Sequence, residues 1–266
     1  MSIKGTTTCA LGHPVVEVNN LRKTFRSFYD RPSSLKETLV RTVRLRLWQR
    51  GEVTALDGIT LNVHSGERLA IIGPNGSGKT TLLAALSGVL QPTEGTIKVH
   101  GRAAPLLGVG SGFHPELTGE ENVRFVGSAL GMSLKEIRMK LPAIVAFAEV
   151  EGFMNAPIRT YSTGMVMRLG FSLGVHANPD LFFIDEHVHS TDESFQQKAL
   201  AKLHSFADKN KTILFVSHDP RWTQQLATRV VWIENGRIKA DGETAEILES
   251  YIEYRSAAAG RADDGP

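Results

Sequence analysis

Eight consecutive residues, Gly73-Pro74-Asn75-Gly76-Ser77-Gly78-Lys79-Thr80, constrain this chain more than any other stretch. They follow the apolar run Leu69-Ala70-Ile71-Ile72 and precede Thr81-Leu82-Leu83-Ala84-Ala85-Leu86. Strand, glycine-rich turn and helix therefore come in the order that a phosphate cradle requires. Glycines let backbone N–H groups approach phosphates, Lys79 reaches the β- and γ-phosphates, and the Thr80 hydroxyl is placed for Mg²⁺. Further apolar strands at 181–184, 212–216 and 230–233 alternate with helical stretches, which predicts an α/β fold with a largely parallel sheet. Asn235-Gly236 signals a hairpin joining 231–234 to 237–240.

The 266 residues, 41% hydrophobic and 22% charged, suffice for one packed domain, read here as residues 1–255. A formal charge of +2 gives no case for nucleic acid as a partner. A single cysteine, Cys9, excludes an intrachain disulfide and fits a reducing compartment. The longest apolar runs, such as Ile213-Leu214-Phe215-Val216, fall far short of the ~20 residues of a membrane span, and no signal segment opens the chain. A cytosolic location follows as the expectation, with any membrane link made through a partner or a surface patch.

Strands are expected at 15–18 and 59–63, a helix from 79 to about 90, and a strand at 95–99. Residues 118–176 read as mostly helical, with turns at Gly131-Met132-Ser133 and Glu151-Gly152. Between the first two strands, residues 26–52 carry seven basic side chains, among them Arg41, Arg44 and Arg46, against three acidic ones. Leu35, Leu39, Val43 and Leu47 recur every fourth residue there, giving a basic amphipathic helix. Its arginines suit an anionic membrane surface or a diphosphate head group, and a solvated helix packed by one apolar stripe fits equally well. The small, polar stretch at 256–266 reads as a disordered tail.

A second helix start of phosphate-binding type, Tyr161-Ser162-Thr163-Gly164-Met165, lies far downstream of the first. It is followed by Leu181-Phe182-Phe183-Ile184-Asp185-Glu186, a buried strand ending in two carboxylates. Behind a phosphate loop, Asp185 can bind Mg²⁺ or its water, and Glu186 can polarise an attacking water. His218 follows the strand at 212–216, at the edge where ligands bind in parallel sheets, and senses the γ-phosphate in this reading.

In this order the phosphate loop, Ser162–Gly164, the 181–186 strand, Asp192 and His218 resemble the nucleotide-binding subunits of ATP-binding-cassette transporters. The resemblance implies a phosphate-loop ATPase core with an antiparallel β subdomain and a helical signature subdomain, here at about 113–178. It implies ATP and Mg²⁺ as cofactors, with Asn75, Gly76, Ser77, Gly78, Lys79, Thr80 and Thr81 cradling one nucleotide. Lys79, Glu186 and His218 become the catalytic residues, and Thr80 and Asp185 the Mg²⁺ residues, Asp185 through water. Two copies would pair head to tail, so that Ser162, Thr163, Gly164 and Asp192 of one cap the ATP held by the other. That explains two phosphate-binding helix starts in one chain. An aromatic residue would stack on adenine, with Phe25 in the matching place after the first strand and Phe28 and Tyr29 as near alternatives.

"GRAAPLLGVGSGFHPELTGEEN", "YSTGM", "FQQK" and "SHDP" resemble more narrowly the ATPases of polysaccharide exporters. That subgroup implies a separate membrane permease, a location on the cytoplasmic face of the inner membrane, and a lipid-linked glycan substrate passing near the basic insert. Other readings are a different transporter class, a soluble ATPase of the same family, or a module that holds ATP without turning it over. Two departures stand out. The family's loop glutamine is missing from 107–112, leaving His114 or Glu116 to act there, and His187 and His189 replace small apolar residues. Two histidines are too few for a four-coordinate zinc site, and a part in subunit communication beside Asp192 is the other reading.

Overall fold

The computed structural model describes residues 14–28, 50–106, 110, 112–185, 191–207 and 209–263. Residues 29–49 of the basic insert, the loop positions 107–109 and 111, and Glu186, His187 and His189 lie outside them, as do Cys9 and Tyr29.

A three-stranded antiparallel sheet is built from β1 (Pro14–Phe28), β2 (Arg50–His64) and β4 (Glu94–Val99), with β1 in the centre. The second sheet has six strands in the order β5-β6-β7-β3-β8-β9. These are β3 (Arg68–Ile72), β5 (Ala103–Leu106), β6 (Leu181–Ile184), β7 (Thr212–Val216), β8 (Arg229–Glu234) and β9 (Arg237–Glu243). All neighbours in it run parallel except β8 and β9, which are joined by the Asn235-Gly236 turn with φ of 50° and 74°. Both turn residues occupy the left-handed region that a tight two-residue hairpin needs.

The apolar runs of β3, β6, β7 and β8 are continuous because both faces of this sheet are covered. Alternate residues go to different cores. Ala70, Ile72, Phe182, Ile184, Ile213 and Phe215 pack on one side, against α5 (Glu193–Ala207) and its Phe195 and Phe206. Leu69, Ile71, Leu181, Phe183, Leu214 and Val216 pack on the other, against β1, β2 and α1 (Lys79–Leu86). A third core joins α2 (Gly119–Ala129), α3 (Leu134–Ala148) and α4 (Thr163–His176). Helix α4 serves two of these cores, with Leu169 and Leu173 turned to the helices and Phe171 and Val175 to the sheet. Spacing of four residues within each pair keeps each on one helical face.

Local chemistry sets the helix ends. Thr118 and Ser133 form capping boxes with Glu121 and Glu136 at the starts of α2 and α3. The Thr118 and Ser133 amides hold those two carboxyls below the usual glutamate range. Their contribution is therefore present above about pH 4.5 and lost as pH falls through the lowered values. Helix α6 (Pro220–Leu226) starts on an Asp219 cap with proline in the first turn.

Several expectations are corrected. Helix α1 ends at Leu86 rather than near 90, because Gly88 takes a φ of 79° and breaks the helical path. Strands β1 and β2 are much longer than expected, pairing from Pro14 and His64 out to Phe28 and Arg50. The ends of the basic insert are thus strand rather than helix, and Phe25 stands on β1 rather than on a loop after it. The last helix, α7, spans Thr244–Asp263, so most of the stretch read as a disordered tail is helical. Its alanines have the highest helix propensity of any residue, which a judgement from polarity alone overlooks. Strand β5 was not foreseen, since Pro105 argues against a strand; at a sheet edge its missing N–H costs little.

Asn122 is fully buried and fastens the entry to the helical layer. Its amide nitrogen donates to the carbonyls of His114, Leu117 and Thr118 at 2.9–3.0 Å, and its oxygen accepts from the His114 amide at 2.7 Å. Asn122→Ala leaves these buried groups without partners and is expected to cost ~3 kcal/mol, read as a lower urea midpoint for unfolding.

Candidate functional site

The carboxyl ends of β6, β7 and β3 lie side by side, with Ile184 opposite Phe215 and Ile71 opposite Val216. The segments leaving these ends are Asp185, Ser217-His218 and the phosphate loop, so three stretches distant in sequence share one sheet edge. Neighbouring strands are ~4.8 Å apart, which places β6 and β3 about 10 Å from one another across β7.

The phosphate loop takes the form that its glycines allow. Gly73, Gly76 and Gly78 have φ of 149°, 75° and 104°, and Gly78 is the cap from which α1 starts. A side chain on Gly76 would meet nothing within 4 Å among the described residues, so the crown of the loop is open to a ligand. Lys79 is 5% exposed, and its ammonium donates to the Gly73 and Pro74 carbonyls at 3.0 and 2.9 Å. The lysine thus folds back along the loop it belongs to, the place from which it can reach phosphate oxygens. Ser77 is also buried, and its hydroxyl has no hydrogen-bond partner among the described residues. Lysine ammonium, open glycine crown and orphaned hydroxyl are what a polyphosphate would complete. Asn75 and Thr80 are exposed at the same place, and Thr81 is half-buried on the first turn of α1.

Asp185 is 5% exposed at the end of β6, and its amide donates to the Leu106 carbonyl at 3.3 Å. His218 is exposed after β7. Before it, Ser217 exchanges hydrogen bonds with the Asp219 backbone at 3.1 and 3.2 Å, which sets the turn into α6. Asp192 caps α5, accepting from the Phe195 amide at 3.0 Å, and lies 3.8 Å from Arg168 of α4. Phe25 is 40% exposed on β1 beside the exposed Val53 of β2, with the Lys23 ammonium 5.2 Å from its ring centre.

The second helix start stands elsewhere. Ser162 caps α4 through its hydroxyl, which accepts from the Met165 amide at 3.2 Å. Ser162 and Thr163 are exposed and Gly164 half-buried, on a helix packed against α2, α3 and β5. Of the two side chains considered for the loop role, the Glu116 carboxylate is paired to Arg159 at 3.1 Å, and His114 Nδ1 accepts the Glu116 amide. Among the described residues no group of three or more His, Cys, Asp or Glu side chains is arranged to hold a metal.

Residues 56–189 match the ABC transporter family. The chain belongs to that family. An O-antigen export system ATP-binding protein, RfbB, from Klebsiella pneumoniae is 39% identical over 239 residues, 90% of this chain and 97% of that protein. A teichoic acids export ATP-binding protein, TagH, from Staphylococcus haemolyticus is 35% identical, covering 90% of this chain and 88% of the relative. The ATP-binding cassette MJ0796 in a dimeric post-hydrolysis state with ADP and Pi has a TM-score of 0.68 at 22% identity, over 86% of this chain and 98% of that one. As an ABC transporter family member, this chain carries its phosphate loop, Asp185 and His218 on one edge of an ABC ATPase core.

Several contacts of the site had no signal in the local sequence. The Gly236 amide donates to the Ser77 carbonyl at 2.9 Å, tying the β8–β9 turn to the phosphate loop. Arg168 and Lys198 hold the two oxygens of Glu149 at 3.3 and 2.9 Å, joining α4 and α5 to the end of α3. Each is a meeting of residues brought together by the fold. The orphaned hydroxyl gives a direct check on the cradle. Ser77→Ala is expected to leave stability unchanged or slightly higher, since it removes a buried unpaired group, and to weaken MgATP binding by about tenfold in a titration.

Proposed function

We propose that this chain is the ATP-hydrolysing subunit that powers export of a cell-surface polysaccharide, lipid-linked, through a separate membrane permease. The carrying observation is the match along nearly the full length of export ATP-binding proteins for O-antigen and teichoic acids. Lys79, Asp185 and His218 on one sheet edge support turnover rather than mere ATP holding.

In this reading Asn75 to Thr81 cradle the phosphates, with Lys79 drawing charge off the β- and γ-phosphates. Mg²⁺, held by Thr80 and by Asp185 through water, would neutralise the charge that develops on the leaving phosphates. Glu186 polarises the attacking water, and His218 registers the γ-phosphate from the neighbouring strand end. Two copies pair head to tail, with Ser162, Thr163, Gly164 and Asp192 of each closing over the nucleotide of the other. Helix α4 presents amides at its start to that anion, and its dipole adds to the attraction. Phe25 supplies the aromatic face for adenine.

Among the described residues no helix is long and apolar enough to cross a membrane, and the membrane passage is assigned to the permease. An apolar groove of about 540 Å³ between the sheet core and the helical layer suits a segment of that partner. It is lined by Val89, Pro105, Phe125, Val126 and Met167, and Val89 and Phe125 are strongly exposed. The assembly then works on the cytoplasmic face of the membrane. Arg41, Arg44 and Arg46, which lie outside the described residues, are assigned in this reading to the anionic carrier lipid or its diphosphate.

In the native cell, Glu186→Gln at equal expression is expected to abolish hydrolysis and to accumulate one polyprenyl-linked glycan on the cytoplasmic side, with loss of that glycan outside. Hydrolysis abolished with no glycan accumulating would remove the polysaccharide reading. Neutralising Arg41, Arg44 and Arg46 together is expected to impair export while ATP hydrolysis by the assembled complex stays intact.

A further inference from the structure

The underside of the phosphate loop rests on a turn from the far end of the chain. Asn235 and Gly236 join β8 to β9, and the Gly236 backbone bonds in two directions. Its amide donates to the Ser77 carbonyl at 2.9 Å, and its carbonyl accepts from the Asp57 amide of β2 at 2.8 Å. Packing is as close as the hydrogen bonding. A Cβ on Gly78 would lie 2.5 Å from the Ala55 carbonyl oxygen, and one on Gly236 2.7 Å from the same atom. A Cβ on Gly73 would run into the Ile233 carbonyl. Loop, turn and β2 thus meet backbone to backbone around one oxygen, with no room for a side chain at any of the three glycines.

A trans peptide sends its C=O and N–H in opposite directions. The Ser77 carbonyl and the Gly78 amide belong to the same peptide. Holding that carbonyl down on Gly236 therefore turns the Gly78 N–H away from the turn, toward the open crown of the loop. Charged side chains lock the turn. The Asp57 carboxylate takes Arg237 Nε at 3.0 Å and Arg22 at 3.2 Å, so β1, β2 and β9 are clamped where the turn meets the loop.

We propose that Gly236 is a positioning residue for nucleotide binding, which orients the Ser77–Gly78 peptide toward the phosphates and is kept in place by Asp57 and its two arginines. The proposal rests on the reading that this chain binds ATP at the phosphate loop. It adds to the site a residue that lies far from the loop in sequence and is aligned with it only by the fold.

The test uses the full-length chain and calorimetric titration with MgATP and MgADP. Gly236→Ala strains a backbone at φ 74° and presses on the Ala55 oxygen, and is expected to weaken both nucleotides by about tenfold, or ~1.4 kcal/mol. Gly88→Ala is the matched control: its φ is 79° and its Cβ would meet nothing within 4 Å. It should lose thermal stability as Gly236→Ala does and keep wild-type affinity. Asp57→Asn, which leaves the residues of the turn unchanged and loosens the clamp on it, should weaken binding about threefold. It also carries the test if Gly236→Ala fails to fold. Wild-type affinity in folded Gly236→Ala, in Asp57→Asn when that variant alone folds, or equal weakening in Gly88→Ala, would overturn the proposal. Wild-type protein that bound no MgATP would instead undo the nucleotide reading on which it stands.

Discussion

Alternate residues of β3, β6, β7 and β8 enter two different cores, and the positions of Asp185, His218 and the phosphate loop follow from that division. Each fully buried Leu or Phe contributes about 2–3 kcal/mol by leaving water, largely offset by the chain entropy lost on ordering. A one-residue slip of any of these strands would exchange its two faces, sending Phe182 and Ile184 of β6 to the side now filled by Leu181 and Phe183. Strand register is therefore tightly set. The carboxyl ends follow, and with them Asp185, His218 and the phosphate loop.

The phosphate loop itself is a place of incomplete satisfaction within a satisfied fold. A buried ammonium is costly, and the Gly73 and Pro74 carbonyls lower that cost for Lys79. The Ser77 hydroxyl has no such relief among the described residues. Buried polar groups left in this way are what an anionic ligand can repay, as the proposed nucleotide reading of the loop requires. Its rigidity comes from outside its own sequence. Asp57, Gly236 and Ala55 hold it from below, and α1 continues it into the core through Leu82, Leu83 and Leu86.

The helical layer has its own core but is not independent of the sheet. Helix α4 belongs to both, and its N-terminus is capped by Ser162. Glu149, which caps α3 in the left-handed conformation, is gripped by Arg168 of α4 and Lys198 of α5. These half-exposed pairs contribute little to stability individually. Their value is geometric, since they set the start of α5 at Asp192 against the helix that carries Ser162–Gly164. In the proposed reading, the two segments that face the partner's nucleotide are thus tied together.

The sequence by itself determined the strand–loop–helix cradle, the buried runs at 181–184 and 212–216, the Asn235-Gly236 hairpin and the mostly helical character of 118–176. These are legible because their causes are local: glycine conformations, caps, hydrophobic period and helix propensity act within a few residues. The same local logic misread the Ala-rich end of α7 and the stop of α1, and gave no reading of the edge strand with Pro105. Only the tertiary structure decided that Gly236 supports Ser77, that Asp57 collects Arg22 and Arg237, and that Asn122 closes the segment from His114 to Thr118. Most of these contacts join residues far apart in the chain. Their partners are chosen by where the buried sheet and the helix starts bring them, a matter of packing that no short stretch of sequence carries.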